Sequence, residues 1–433
     1  MKAWTVYEHR SLPFGQGDGE IPESVAGRLH AVASRTGLAG ASGNGVLQFG
    51  RKALKARHIV GVVAAEGGML EILPKIDMPG EDDDTSATAM GSVRRQLIHM
   101  LSVALDLKVD ADTLTAIECQ KHTLLEMLIR LFAAKLADAL RAGMPRRYVS
   151  CADDLPALRG RLDVVRQFTV RAADPSRLAC RFEALTPDIA LNQIMKAAVA
   201  RLTKLARASD TQRMLRELGF AYADIADVAP AALNWNGVVL DRTNARWRDL
   251  LALARLLLEG RFQTSSAGSE GGFALLFDMN RLFESYVAHL LRAALVGTDL
   301  HATTQGGRLF CLQHEGSGLF QTRPDILIKR GNAIVQIIDT KWKRTAPAIS
   351  DRKRGVNQSD VYQMMAYGRL YGCGSLTLLY PHHGQLGDRP GILGRHTITG
   401  TSDILNTVTI DVSQIGIARE GARAIADRLI AGC

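Results

Sequence analysis

The chain has 433 residues, with 53 Lys and Arg against 44 Asp and Glu, so its formal net charge is +9 at pH 7. At roughly 100–200 residues per domain this length predicts about two to four domains, and a hydrophobic fraction of 47% excludes wholesale disorder. No run of about 18 apolar residues predicts a membrane span, and the six cysteines form no CxxC pair that would indicate a zinc ribbon or an iron–sulfur cluster. We therefore expect a cytoplasmic protein with reduced thiols, whose basic charge balance favours a polyanionic partner such as nucleic acid.

The first 80 residues are predicted to form a β-rich domain. The β-branched run at 59–63, the Glu-Gly-Gly turn at 66–68 and the apolar run at 69–73 indicate a hairpin. Residues 81–91 begin with four consecutive acids and offer little to bury, so they are predicted to be an acidic linker.

Residues 92–265 are predicted to be a mainly helical middle domain. Thr123 and Glu126 form a candidate capping box, and an apolar face follows at helical spacing until Gly143 and Pro145 end it. Further helices are predicted over 191–205, 212–218 and 244–258, with an irregular or β segment around 145–183.

A small, polar segment at 263–272 marks the boundary to a C-terminal domain, residues 266–433. Its pattern is a helix at 278–295, strands at 325–329 and 333–342 joined by a tight turn, a helix at 359–370 and a buried strand at 375–380. The fold class predicted for the whole chain is therefore α/β multidomain.

Three polar residues lie on the two strands that the turn joins, namely Asp325, Asp339 and Lys341. Side chains alternate between the two faces of a strand, so Asp339 and Lys341 point the same way. If the turn pairs the strands, Asp325 falls opposite the end of the second strand. The three groups then converge at one end of the sheet.

Clustered carboxylates repel one another unless they are neutralised, and beside phosphate chemistry such oxygens commonly hold Mg²⁺. A metal at Asp325 and Asp339 would polarise a scissile phosphate, and Lys341 would orient a water or offset charge on the phosphoryl group. This is the PD-(D/E)xK arrangement of many DNA nucleases, begun here by Pro324-Asp325. A chance match to so short a motif is the alternative.

Two neighbouring helices carry supporting candidates. Gln363 and Tyr367 lie four residues apart, hence on one helix face, and resemble the Gln-x3-Tyr pattern of RecB-type nucleases, where it positions the metal site and the DNA strand. Glu284 resembles the helical glutamate that supplements the metal site in this fold. The alternatives are a core tyrosine and a solvated glutamate.

A basic segment follows the lysine of the motif, and phosphate contact is the function that such a run favours, with a solvated loop as the alternative. The candidate DNA-binding residues, with Tyr367 added, are Lys343, Arg344, Arg352, Lys353 and Arg354.

Other motifs are lacking. His382 and His383 have no metal-ligand partner at helical spacing, so a position at a strand end is favoured. No GxxxxGK[ST] segment occurs, so we expect this chain to hydrolyse no nucleoside triphosphate itself, and no GxSxG nucleophile elbow occurs either.

The order of these segments resembles the McrC family, the nuclease subunits of McrBC systems that restrict DNA carrying modified cytosine. The resemblance rests on the segments 60–62, 70–76, 158–163, 188–196, 277–284, 323–325, 339–341 and 362–367.

The resemblance implies a hexameric AAA+ GTPase partner of the McrB type, which recognises and translocates double-stranded DNA. It implies that GTP acts only through that partner, that the N-terminal region docks in the ring and stimulates GTP hydrolysis, and that Mg²⁺ is the cofactor of this chain. Residues 40–55 are the segment we expect to enter the pore. No membrane partner is expected.

Three functions remain open from the sequence. The first is a Mg²⁺-dependent endonuclease subunit that acts with the GTPase. The second is a regulatory, GTPase-activating subunit that binds DNA without cutting it, and the third is a RecB-like repair nuclease that works without a ring.

Overall fold

A computed structural model describes residues 2–75, 87–107, 122–174, 176–242, 244–259, 272–345, 356–386, 389–413 and 415–431. Its internal contacts divide the chain into two compact units, one of residues 1–125 with 259–433 and the other of residues 126–258. The predicted N-terminal and C-terminal domains thus share one unit. The domain boundaries drawn from the sequence stay a prediction.

The N-terminal region is rich in β structure, as predicted. Its elements are β1 (Lys2–Tyr7), β2 (Ser11–Pro13), α1 (Glu23–Ser34), β3 (Leu47–Phe49), β4 (Ala53–Ala56), β5 (Ile59–Ala65) and β6 (Gly68–Leu73). The predicted hairpin is confirmed: β5 and β6 pair antiparallel, and every residue in them is buried. Strands β2, β3 and β4, which precede the hairpin in the sequence, form a separate three-stranded sheet of order β2-β4-β3.

Two long helices follow, α2 (Ala87–Ala104) and α3 (Leu124–Arg141). Residues 76–86 lie outside the described residues, and helix already occupies the last part of the predicted linker. The predicted apolar face of α3 is buried, including Met127 and Leu131. The helix ends at Arg141, and Gly143 then has a φ of 117°, a conformation that favours glycine.

The remaining elements of the second unit confirm the predicted mainly helical pattern with a β segment inside it. They are β7 (Arg147–Leu155), β8 (Arg161–Leu162), α4 (Val164–Thr169), β9 (Leu178–Thr186), α5 (Ala190–Leu205), α6 (Ser209–Ala221) and α7 (Arg248–Glu259). The strands form a sheet of order β7-β9-β8, in which β7 and β9 pair over nine residues each.

The C-terminal region is mixed α/β, as predicted. Its elements are β10 (Gly272–Asp278), α8 (Met279–Ala294), β11 (Leu300–Thr304), β12 (Phe310–His314), β13 (Ser317–Gln321), β14 (Ile326–Arg330), β15 (Ala333–Thr340), α9 (Gln358–Tyr371), β16 (Ser375–Pro381), β17 (Ile392–Thr397), β18 (Ile404–Ile410) and α10 (Ile415–Ala431). Six of the strands form a sheet of order β11-β14-β15-β16-β18-β17, which combines antiparallel and parallel pairs.

Strand β10 of the C-terminal region pairs with a strand of the N-terminal region, which the sequence pattern did not predict. It pairs antiparallel with β5 and completes a sheet of order β1-β6-β5-β10. Within this strand pair Gly61 has a φ of 130°, and a Cβ on Gly61 would lie 2.0 Å from the carbonyl oxygen of Leu275. Only glycine lets the two backbones come so close.

Helix α8 follows β10 directly. The carboxylate of Asp278 caps it by accepting hydrogen bonds from the backbone N–H groups of Asn280 and Arg281. The apolar face predicted for this helix is fully buried. None of the helices in the described part of the chain combines the length and apolar character of a bilayer span.

The core beneath the predicted site lies between α9 and the centre of the six-stranded sheet. It contains side chains from β14, β15, β16, β18 and α9, among them Leu327, Ile337, Met364 and Leu378. This packing fixes α9 against the strands that carry the acidic motif.

Candidate active site

The two aspartates of the motif lie at the same end of a strand pair, Asp325 just before β14 and Asp339 near the end of β15. Strands β14 and β15 pair antiparallel with Ile326 opposite Ile338, and Asp325 and Asp339 are the residues next to that last pair. The turn between the strands uses Gly331 at a φ of 57°. The pairing that the sequence predicted is therefore confirmed.

Asp325 is held by the residue that follows the second aspartate. Its Oδ2 accepts hydrogen bonds from the backbone N–H and the hydroxyl of Thr340, each at 2.7 Å. Burial raises the pKa of Asp325, and the nearby carboxylate of Glu284 raises it further, whereas the bonds from Thr340 oppose the shift. The carboxylate is thus fixed in place and poorly solvated.

Asp339 is the most buried acid of the site, with 1% of its surface exposed. Burial and the repulsion from Asp325 raise its pKa to about 6, although the ammonium group of Lys341 opposes the shift. Its Oδ2 lies 2.6 Å from the Nζ of Lys341. Because Asp325 and Asp339 repel each other, a cation or a proton at this site would stabilise the pair.

Lys341 extends the ladder beyond the last residue of β15. Its backbone N–H donates to the carbonyl oxygen of Leu379 at 2.9 Å, which keeps its side chain on the same face as Asp339. Burial alone would lower the pKa of Lys341, but Asp339, Asp360 and Asp325 together raise it. The ammonium form is therefore the stable one.

Helix α9 supplies the other partners of this lysine. The Nζ of Lys341 donates to the Oε1 of Gln363 at 3.1 Å, and the Nε2 of Gln363 donates to the hydroxyl of Tyr367 at 2.7 Å. The spacing of four residues does place both side chains on one face. The chain of contacts runs from helix to lysine to aspartate.

Tyr367 needs a correction. Its sequence position predicts contact with DNA, but only 5% of its surface is exposed and its ring centre lies 6.3 Å from that of Tyr371. A ring so enclosed cannot present a face to a duplex. Its hydroxyl instead fixes the amide of Gln363.

Glu284 lies on α8 and is half-buried. Burial raises its pKa, a hydrogen bond from the side chain of Gln305 opposes the shift, and Asp339 is close enough to raise it further. Among the described residues, no group of three or more acidic, histidine or cysteine side chains is arranged to hold a metal ion. Glu284 therefore neighbours the aspartate pair without completing a three-ligand cluster.

The predicted basic residues divide into three groups. Lys343 forms an ion pair with the buried Asp360 and lies 5.8 Å from the centre of the Tyr380 ring. Arg344 is half-buried. Arg352, Lys353 and Arg354 lie outside the described residues.

Three contributors were missed by sequence reasoning. Thr340 orients Asp325, Asp360 contacts both lysines of the segment, and Gln305 donates its backbone N–H to the carbonyl oxygen of Asp325 at 2.9 Å. The sequence could have indicated Asp360, because it lies three residues before Gln363 and therefore on the same face of the helix. Gln305 had none.

His382 and His383 directly follow β16, as expected for a strand end. The Nδ1 of His382 lies 3.2 Å from the hydroxyl of Thr409, and the Nε2 of His383 lies 3.0 Å from the carbonyl oxygen of Thr345. They take no part in the acidic site.

The donor set of the site fits a hard divalent cation. Mg²⁺ is usually held by one or two carboxylates, with water and substrate phosphate completing its shell, so Asp325 and Asp339 suffice. Burial first and a neighbouring carboxylate second raise the pKa of both aspartates, so a positive charge placed beside them would stabilise their ionised forms.

Comparisons with known proteins found two similar solved structures. The chain has the fold of a chain in the structure described as a refined half-complex from a tetradecameric assembly of Thermococcus gammatolerans McrB AAA+ hexamers with bound McrC. The TM-score is 0.74, and the identity is 21% over 99% of this chain and 100% of that one. It is also similar to a chain in the cryo-EM structure of the Thermococcus gammatolerans McrBC complex, at a TM-score of 0.54 and 24% identity over 68% of this chain and 88% of that one.

No curated protein gives a significant match. The family described as McrBC 5-methylcytosine restriction system component matches residues 54–381, which is most of the chain. The resemblance drawn from the order of the sequence motifs is thereby confirmed, and the chain belongs to the McrBC family of restriction system components.

Proposed function

We propose that this protein is the Mg²⁺-dependent DNA endonuclease subunit of a McrBC-like restriction system. The observation that carries the proposal is the convergence of Asp325, Asp339 and Lys341 at one end of β14 and β15, where Asp339 interacts electrostatically with Asp325 and its Oδ2 lies 2.6 Å from the Nζ of Lys341. This convergence supports assigning the three residues to a PD-(D/E)xK motif.

Each side chain has a task that follows from its surroundings. Asp325 and Asp339 would hold the cation, which when bound polarises the scissile phosphate and lowers the pKa of a water. Lys341 is kept protonated by its carboxylate neighbours, so it serves as a hydrogen-bond donor to a water or to a phosphoryl oxygen. It is unsuited to accept a proton.

Gln363 is a positioning residue in this scheme. Its Oε1 accepts from Lys341 while its Nε2 is fixed by Tyr367, so the lysine tip has a defined place between helix and strand. Glu284 lies on the other helix and adds negative charge near Asp339. Removing either residue should weaken catalysis without abolishing it.

The partner in the proposal is a hexameric AAA+ GTPase. The similar fold was described with McrB hexamers and bound McrC, and this chain covers that chain in full. In this scheme GTP acts through the partner, which recognises and translocates double-stranded DNA, and the chain described here stimulates the GTPase and cuts. The location of both proteins would be the cytoplasm.

The test is cleavage of plasmid DNA by the purified protein with Mg²⁺, GTP and a McrB-type AAA+ GTPase partner. Asp339→Asn and Lys341→Ala should each abolish breaks while stimulation of GTP hydrolysis persists. Arg369→Ala, which removes an exposed cation from the same helix as Gln363, is the matched control and should cut normally. Undiminished cutting by Asp339→Asn would refute the assignment.

A wild-type protein that stimulates the GTPase but leaves plasmid intact would instead identify a regulatory subunit. Cutting that needs neither partner nor GTP would identify a stand-alone repair nuclease.

A further inference from the structure

The second unit contains a cavity of about 460 Å³ that takes no part in the acidic site. Its walls come from three stretches of chain: residues 142–149, which lead into β7, residues 188–191 at the start of α5, and residues 237–247. All of its lining belongs to residues 126–258. The cavity is therefore a feature of that unit alone.

Three arginines line this cavity, Arg146, Arg147 and Arg246. All three are exposed, and none of them forms an ion pair within the described residues. Guanidinium groups gathered in one concavity repel one another unless an anion lies between them. Arginine is also the side chain whose planar fork best matches a phosphate group.

Other arginines of the same unit behave differently. Arg166 and Arg171 both pair with Asp154, and Arg181 pairs with Asp163. These cations neutralise acids of the same unit. The three in the cavity have no such structural task, which separates them from the general surplus of basic residues.

Two aspartates also line the cavity, and each accepts hydrogen bonds from other groups of the unit. The Oδ1 of Asp188 accepts from the side chain of Gln193 at 2.9 Å and from the backbone N–H of Ala226 at 3.1 Å. Asp241 accepts from the backbone N–H of Asn244 at 3.4 Å.

Strand β7 extends the basic surface. Its first residues, Arg147 to Ser150, are exposed on both faces of the ribbon, and the side chain of Tyr148 is 65% exposed. A long antiparallel ribbon with open faces and arginines at its base is a shape that fits the grooves and backbone of a duplex. A free nucleotide would use the cavity but not the ribbon.

We infer that Arg146, Arg147 and Arg246 bind the phosphate backbone of double-stranded DNA and form a duplex-holding surface separate from the cutting site. The inference deepens the proposed endonuclease function and takes its ligand from it. The surface would supply affinity that is independent of sequence and strongly dependent on salt.

The experiment measures binding of a fluorescent duplex to the full-length protein by anisotropy, without Mg²⁺ so that no cutting occurs. Changing the three arginines to Gln should weaken affinity about tenfold or more at moderate salt and reduce the slope of log affinity against log salt by about 1 for each lost contact. The charge-matched control changes Lys204, Arg213 and Arg216, exposed residues of α5 and α6, to Gln and should weaken binding far less.

Two results would overturn the inference. One is an equal loss of affinity in both triple variants, and the other is binding of GMP or GTP to the cavity with no effect of the arginine changes on duplex affinity. Asp339→Asn serves as a separate arm, because it should retain duplex affinity. If it also retains cutting in the complex, the proposed nuclease site fails while the binding result still stands.

Discussion

The indole Nε1 of Trp342 donates a 3.0 Å hydrogen bond to the Oε1 of Glu8, 334 residues earlier in the chain. The same carboxylate oxygen accepts from the backbone N–H of Lys75 at 3.0 Å, and Glu8 is 2% exposed. Trp342 immediately follows Lys341, and its ring packs 5.5 Å from that of Phe283 on α8. A residue just after β1 is thus bonded to the segment that carries the predicted catalytic lysine.

Replacing Glu8 should therefore affect both stability and cutting. Glu8→Ala leaves two buried donors without an acceptor, at a cost of about 1–3 kcal/mol for each buried group left unpaired. Glu8→Gln keeps an oxygen at that position and should cost less. Urea unfolding checks the stability, and single-turnover cleavage by the complex should fall further for Ala than for Gln. Equal behaviour of the two variants would contradict this account.

Thr340→Val tests whether Asp325 needs its hydroxyl partner. The variant keeps the backbone hydrogen bond and the side-chain volume but removes one of two 2.7 Å bonds to the carboxylate. A bond to a charged group is worth about 1.5–3 kcal/mol, so cleavage should fall by roughly one to two orders of magnitude. Thr397→Val, at an exposed position, is the control. Unchanged cleavage by Thr340→Val would show that the backbone bond is enough.

Tyr367→Phe distinguishes a positioning role from contact with DNA. The ring stays in the core while Gln363 loses the acceptor of its 2.7 Å bond. We expect the single-turnover rate to fall severalfold with the duplex dissociation constant unchanged, because only the lysine tip is less well placed. A weaker dissociation constant at an unchanged rate would instead restore the direct contact predicted from the sequence.

Acid should destabilise the first unit through His99. Burial lowers the pKa of His99 to about 4 from an ordinary 6.5, so the folded state keeps it neutral while the unfolded chain protonates it. Stability from this group is complete above pH 6.5 and is lost as the pH falls toward 4. At 1.36 kcal/mol per pKa unit, the loss between pH 8 and 5 is about 2 kcal/mol.

Urea unfolding of the wild type and His99→Gln at the two pH values measures this term. The variant keeps a polar partner within reach of the Tyr286 hydroxyl, which lies 3.1 Å from the histidine ring. Its stability should fall less on acidification than that of the wild type. Parallel pH curves for the two proteins would rule out a contribution from His99.

Local pattern was sufficient for much of the site. The turn at Gly331 and the alternation of side chains along β15 were enough to bring Asp325, Asp339 and Lys341 together, and a spacing of four residues was enough to align Gln363 with Tyr367. These relationships depend only on neighbours in sequence or on one hairpin.

The contacts that escaped prediction depend on distant parts of the chain. Nothing near Trp342 indicates that its indole meets Glu8, and nothing in the sequence of β10 indicates that its partner is β5. The burial of Tyr367 could not be predicted from the sequence either, because a tyrosine at that spacing is compatible with a buried core position and with an exposed DNA-binding position. Long-range packing decides such cases.

The pairing of β10 with β5 also orders events during synthesis. When β5 and β6 leave the ribosome, the strand that will complete their sheet has not been made, and residues 126–258 must be translated first. One edge of β5 then stays open to wrong partners, and closure of so distant a contact is slow. The sheet that holds β5 and β6 therefore stays incomplete until residues 272–278 have been translated.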